Sequence, residues 1–310
     1  MSKKMPTAVF IINGFLESGK TTFIKNAIIK DPEIKKEKVL IVCCEEGEEE
    51  YTGLADNVTV HTVEDETELT VDMLEVLNEK YSPTYVIIEY NGVWEMQSLY
   101  RVKLPDNWRL AEQITVIDAL TFDEYFQNMK SIFSNMLRSS SRIFVKRCTA
   151  EDNFKIYRDN IKRCNAGAEI VYMSDSEGVL NITLEDDLPY SLDDDIIKID
   201  HDSYFIWYVD VMENTHRYIG KTVEYTGQVA KPGYFRGGYF VAGNMVMTCC
   251  EDDMQFLGFL SAYSKSDMLK EGSYVRVRGT VAFEYAPEYN SEGPVLHIID
   301  AVEVPKPETK

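Results

Sequence analysis

Nine residues, Gly14-Phe15-Leu16-Glu17-Ser18-Gly19-Lys20-Thr21-Thr22, place two glycines, a lysine and hydroxyl side chains at the spacing of a P-loop. Such a loop binds phosphate. Its backbone N–H groups and the N-terminus of the following helix form an anion site, and Gly14 and Gly19 permit backbone conformations that a side chain would forbid. Lys20 is expected to reach the β- and γ-phosphates, and the Thr21 hydroxyl to ligate Mg²⁺. Glu17, Ser18, Gly19 and Thr22 complete the expected cradle with Gly14. The implied ligand is a nucleoside triphosphate, GTP or ATP, with Mg²⁺.

This chemistry needs a strand before the loop and a helix after it. The apolar run Ala8–Ile12 and the amphipathic stretch Phe23–Ile29 supply both. Further apolar, β-rich runs follow at Val39–Cys44, Tyr85–Tyr90, Ile114–Ala119, Arg142–Arg147 and Glu169–Met173, separated by stretches of helical spacing. Continuous apolar strands alternating with helices predict an α/β domain, a parallel sheet covered on both faces with its ligand at the carboxyl ends of the strands. Glu89 stands at the end of one such run. An acidic group there suits Mg²⁺ held through water, or an attacking water, so Glu89 joins Lys20 as a candidate catalytic residue.

The pattern changes after about residue 175. Residues 176–203 are rich in Asp, Glu and Ser and read as an acidic linker. A helix is expected from Tyr204 to about Tyr218, stopped at Gly220. Five β-rich runs punctuated by glycine then fit a small all-β barrel of the OB type. The expected organisation is therefore a P-loop domain over 1–175, a linker over 176–203, and a helix plus OB-like barrel over 204–310.

A net charge of −20 argues against a nucleic-acid binder, which must neutralise phosphates with Lys and Arg. No apolar run approaches the roughly 18 residues of a membrane span, so membrane insertion is not expected. The first apolar run is too short for a signal peptide, and adjacent cysteine pairs suit thiols better than disulfides; both point to the cytoplasm. Cys43 reads as a small core residue, and Cys44 as the strand-end residue facing the nucleotide edge.

The first domain resembles the CobW-type GTPases, a P-loop family of metallochaperones and metal-insertion proteins. The likeness rests on the loop itself, on Glu89-Tyr90-Asn91-Gly92 as a Glu-x-x-Gly, and on Val39–Tyr51 with Glu46-Gly47-Glu48. It extends to Ile114–Ala119 and Asn165-Ala166-Gly167-Ala168, and covers about residues 7–175. It implies GTP hydrolysis coupled to handling of a metal, zinc being the family's usual kind of ion. Two departures are visible. The segment matching the family's guanine-reading Asn-Lys-x-Asp, Phe144–Thr149, has no carboxylate, leaving Lys146 and Arg147 as residues that could stack on the base. The family's Cys-x-Cys-Cys is missing from the stretch Thr59–Thr70, which carries His61 instead.

The second domain offers Cys249-Cys250-Glu251-Asp252-Asp253, soft and hard ligands close together. Over about residues 204–306 it resembles the C-terminal domain of YcgQ-type proteins, which accompany predicted permeases and have been linked to metal handling. Cys249, Cys250 and Asp253 are accordingly the candidate transition-metal ligands. The expected function is a GTP-dependent switch in zinc handling or metal delivery, working on a metal-requiring client protein. The alternative is a nucleotide-gated adaptor for a membrane permease with negligible turnover.

Overall fold

A computed structural model describes residues 6–45, 51–182, 188–233, 235, 237–247 and 254–307. The chain forms two compact units, Met1–Leu184 and Glu185–Lys310. Among the described residues no helix is long and apolar enough to cross a membrane.

The first unit is built on an eight-stranded sheet in the order β3-β2-β4-β1-β5-β6-β7-β8. Its strands are β1 (Thr7–Asn13), β2 (Val39–Cys43), β3 (Val58–Thr62), β4 (Tyr85–Glu89), β5 (Trp108–Asp118), β6 (Arg142–Lys146), β7 (Glu169–Ser174) and β8 (Gly178–Leu180). All neighbouring pairs are parallel except β7–β8. Parallel strands need crossovers, and the helices supply them. Helix α1 (Lys20–Phe23) runs into a π-helical turn, Ile24–Ile28; α2 (Val71–Tyr81), α3 (Met96–Arg101), α4 (Phe122–Asn128), α5 (Lys130–Leu137) and α6 (Phe154–Cys164) follow.

Successive strand residues point to opposite faces, so the sheet has two cores. Ile12, Ile41 and Ile87 meet Phe23, Ile24 and Ile28 on one face. Val9, Ile11, Val86 and Ile88 meet Leu74, Leu77, Met96 and Leu99 on the other, where Phe122, Phe133 and Ile161 continue the layer. The predicted α/β fold with helices on both faces is the observed one. Strand β3 escapes the sequence pattern because it is an edge strand whose side chains are only partly buried, so it carries no apolar run.

The functional consequence is positional. Strand β1 lies between β4 and β5. The ends of β1, β2, β4, β5 and β6 therefore bring Gly14, Glu45, Glu89, Asp118 and Lys146 to one carboxyl edge.

The second unit is all-β apart from α7 (Tyr204–Glu213) and short 3₁₀ turns. Its strands are β9 (Ile197–Lys198), β10 (Thr222–Ala230), β11 (Tyr239–Met247), β12 (Met254–Ala262), β13 (Tyr274–Ala286) and β14 (Ser291–Val304). The order β11-β12-β14-β13-β10-β9 is supplemented by a β10–β11 pairing, so β10 to β14 close into a ring. Within that ring only β12–β14 is parallel. Trp207 of α7 packs into its core with Tyr225, Phe259, Val275 and Leu296.

The 176–203 stretch is not a solvated linker throughout. Strand β8 pairs with β7, β9 pairs with β10, and Ile197 and Ile199 are buried, because isolated apolar residues in an acidic stretch still find a sheet edge to cover. The helix expected to Tyr218 ends at Glu213 and gives way to a 3₁₀ turn, Thr215–Arg217.

Glycines let β10, β11 and β12 approach closely. Gly243 lies opposite Gly258, and a Cβ on Gly258 would stand 2.6 Å from Val241 Cγ1 and 2.7 Å from Gly243 Cα. Gly258→Ala is therefore expected to cost about 1–3 kcal/mol by overpacking. Urea unfolding of the full chain checks this, and an unchanged midpoint would contradict it.

Candidate functional site

The loop after β1 turns tightly. Gly14 has φ +145° and Gly19 φ +88°, and a Cβ on Gly14 would stand 2.2 Å from the Val116 carbonyl oxygen. Only glycine fits there. Glu17 also adopts a positive φ, 60°. The loop delivers Lys20 into a nearly closed position, 2 % exposed, where its ammonium donates to the carbonyl oxygens of Gly14 and Phe15 at 2.8 Å each.

Lys20 has a third partner that the sequence reading did not assign to it. The Glu45 carboxylate, just past β2, lies 2.5 Å from Lys20 Nζ. The Gly92 backbone N–H also favours the charged form of that carboxylate electrostatically. A buried ammonium at the phosphate loop is what a terminal phosphate would require, so Glu45 occupies an anion site. Burial raises the Glu45 carboxyl above its usual range, opposed by Lys20. Gly92 is held by sterics, since a Cβ there would stand 2.1 Å from the Gly14 carbonyl oxygen.

Glu89 ends β4 and is 1 % exposed. Thr21 Oγ1 donates to its Oε1 at 2.7 Å. Tyr51 Oη donates to its Oε2 at 2.6 Å, and the Cys43 thiol lies 3.5 Å from the same oxygen. Burial, then the Glu89 charge, pushes the Cys43 thiol up to about 12, so it remains a protonated donor. Cys43 is the core residue expected, packed with Ile41 and Ile87, and Cys44 is buried too instead of facing the nucleotide edge. Cys43 turns its sulfur to Glu89, while Cys44 packs in the core with Leu74, Val86 and Trp108. Alternation along the strand explains this: Cys43 shares the Ile41 face, and Cys44 the other.

On the far side of the loop, Lys146 Nζ lies 3.3 Å from the Gly19 carbonyl oxygen, and burial lowers its pKa. Gly19 accommodates it; a Cβ there would be 2.6 Å from that nitrogen. Arg147, at φ 58°, grips both carboxylate oxygens of Asp118 and donates to the Glu17 carbonyl at 2.6 Å. Its guanidinium is thus committed to a carboxylate on the neighbouring strand. Asp175, just past β7, adds a negative field at both Lys146 and Arg147.

These groups line one cleft of about 560 Å³, walled by Glu17, Gly19, Lys20, Thr21, Thr22, Glu45, Glu89, Asp118 and Arg147. The structure brings the predicted phosphate residues together with Glu89. It adds Glu45, Tyr51 and Asp118, whose roles depend on contacts between distant segments. Ser18 contributes a buried hydroxyl with no hydrogen-bond partner among the described residues. A Mg²⁺ ion fits the donor set: Thr21 spends its proton on Glu89, which leaves oxygen lone pairs for a hard cation.

The candidate metal residues Cys249, Cys250 and Asp253 lie outside the described residues. Among the described residues, no group of three or more His, Cys, Asp or Glu side chains is placed to hold a metal.

Two family models match the chain. Residues 8–172 match the family described as CobW/HypB/UreG, nucleotide-binding domain, and residues 181–310 match the DUF1980 C-terminal domain. Among solved structures, the chain is similar to the Zn(II)-bound YjiA GTPase from E. coli. That match has 15% identity and a TM-score of 0.45, covering 84% of this chain and 90% of that one. It is also similar to the hydrogenase maturation factor HypB from Archaeoglobus fulgidus, at 14% identity and a TM-score of 0.40, covering 54% of this chain and 81% of that one. No curated protein matches by sequence.

Glu45 and a terminal phosphate would compete for Lys20. Glu45→Gln is therefore expected to tighten metal-free nucleoside triphosphate binding by about tenfold, the equivalent of one charge-assisted contact. Because burial raises the Glu45 pKa, the wild-type carboxylate neutralises as pH falls and releases Lys20. The affinity gap between variant and wild type should then narrow toward acid pH. Titrations with a fluorescent nucleotide from pH 8 to pH 5 check both points, and a gap that widens on acidification would contradict them.

Proposed function

Because the chain belongs to the CobW/HypB/UreG family of P-loop GTPases, we propose that it binds GTP with Mg²⁺, hydrolyses it slowly, and acts as a nucleotide switch in metal handling. One observation carries this reading: Lys20, Thr21 and Glu89 converge on a glycine-shaped loop at the carboxyl edge of a parallel sheet. Lys20 and the loop amides bind the triphosphate and stabilise charge on the transferring phosphoryl group. Thr21 and Glu89 would hold the metal, which would supply positive charge to neutralise the phosphate oxygens. Glu89 also orients water. Lys146 rests over the loop where a base and ribose would lie. Guanine, rather than adenine, is supported by the family.

The second unit is proposed as an OB-type barrel, supported by its five-strand ring closed through the parallel β12–β14 pair. Cys249, Cys250 and Asp253 follow β11 and are proposed to hold a transition metal, with zinc the first candidate. The partner is a metal-requiring client protein, and the compartment the cytoplasm.

Nucleotide assays, co-purification and metal analysis test these points. Lys20→Ala should abolish GTP binding, and Glu89→Gln should lower Mg²⁺-dependent phosphate release by about 100-fold or more while leaving metal-free GTP binding intact. Normal turnover by either variant would overturn the hydrolase. No release by the wild type, together with co-purification of a permease, would favour the adaptor. Metal analysis of the full chain should show zinc that Cys249→Ser/Cys250→Ser loses; equal content in both would end the thiol-site proposal.

A further inference from the structure

Glu89 is a buried carboxylate whose two oxygens face different neighbours. Among the described residues, Oε1 receives the Thr21 hydroxyl, and Oε2 receives the Tyr51 hydroxyl and the Cys43 thiol. The donors to Oε2 are unequal. A thiol at 3.5 Å is a weak partner, whereas a phenol at 2.6 Å is a short hydrogen bond to a charged group. The orientation of Glu89 therefore depends mainly on Tyr51. Tyr51 enters from between β2 and β3, 38 residues away in sequence, and its ring packs on the face that holds Ile41 and Ile87. Burial and the Glu89 charge push the Tyr51 hydroxyl far above its usual pKa, which keeps it a donor.

We propose that Tyr51 is a positioning residue for the divalent metal: its hydroxyl holds Glu89 Oε2, so that Oε1 takes the Thr21 proton and leaves the Thr21 lone pairs to the cation. This rests on the proposed Mg²⁺–nucleotide reading of the cleft. Tyr51 touches neither phosphate nor metal in this arrangement. It acts through Glu89, and its effect belongs to metal affinity rather than to nucleotide affinity as such. A purely structural role would instead lower both together, or neither.

The test is equilibrium binding of a fluorescent, non-hydrolysable GTP analogue to the full chain, titrated with Mg²⁺. Wild type, Tyr51→Phe, Glu89→Gln and the double variant are compared. Tyr51→Phe should keep its metal-free affinity and need about tenfold more Mg²⁺ for half-maximal tightening, the loss expected for one hydrogen bond to a charged acceptor. In the Glu89→Gln background the same substitution should add nothing further, because the coupled partner is already changed. An unshifted Mg²⁺ response in Tyr51→Phe would overturn the proposal. So would a shift of equal size in the Glu89→Gln background, or a loss of metal-free affinity, which would make Tyr51 structural. A wild-type protein that binds the analogue without any Mg²⁺ response would instead defeat the underlying reading, and the wild-type arm alone reveals it.

Discussion

A lysine ammonium that is 2 % exposed cannot stand without an anion. Removing a charge from water costs several kcal/mol unless hydrogen bonds and an opposite charge replace the lost hydration. Lys20 has two carbonyl oxygens from its own loop, which solvate it without neutralising it. The neutralising partner is Glu45, drawn from the end of another strand. The rest of the nucleotide unit can be understood as holding that ammonium, and the space beside it, in place. Gly14, Gly19 and Gly92 provide backbone room, and the parallel sheet sets the strand ends side by side.

That arrangement makes the phosphate site a balance of anions. The same ammonium that holds Glu45 has the chemistry to hold a phosphoryl group. Glu89 is organised separately, with its own set of donors. The two carboxylates consequently play different parts, although both end strands of one sheet: Glu45 stands where an anion can be exchanged, and Glu89 stands where a cation can be received.

Much of this is legible in the chain itself. Two glycines, a lysine and a threonine at fixed spacing specify a phosphate loop because backbone geometry and charge leave little choice. Apolar runs specify the buried central strands for the same reason. What sequence could not show depends on contact between distant segments. Tyr51 and Arg147 are ordinary residues until the fold sets one against Glu89 and the other against Asp118. Strand β3 was invisible because an edge strand buries too little to need an apolar run. The 176–203 stretch read as solvated because its acidic composition masked the few apolar side chains that tie its ends to two different sheets.

The most direct measurement is a crystal structure of the full chain with Mg²⁺ and a non-hydrolysable GTP analogue. The terminal phosphate is expected on Lys20, with Glu45 displaced from it, and Thr21 bonded to the metal with Glu89 behind it. A nucleotide bound elsewhere, or one bound while Glu45 still holds Lys20, would contradict this.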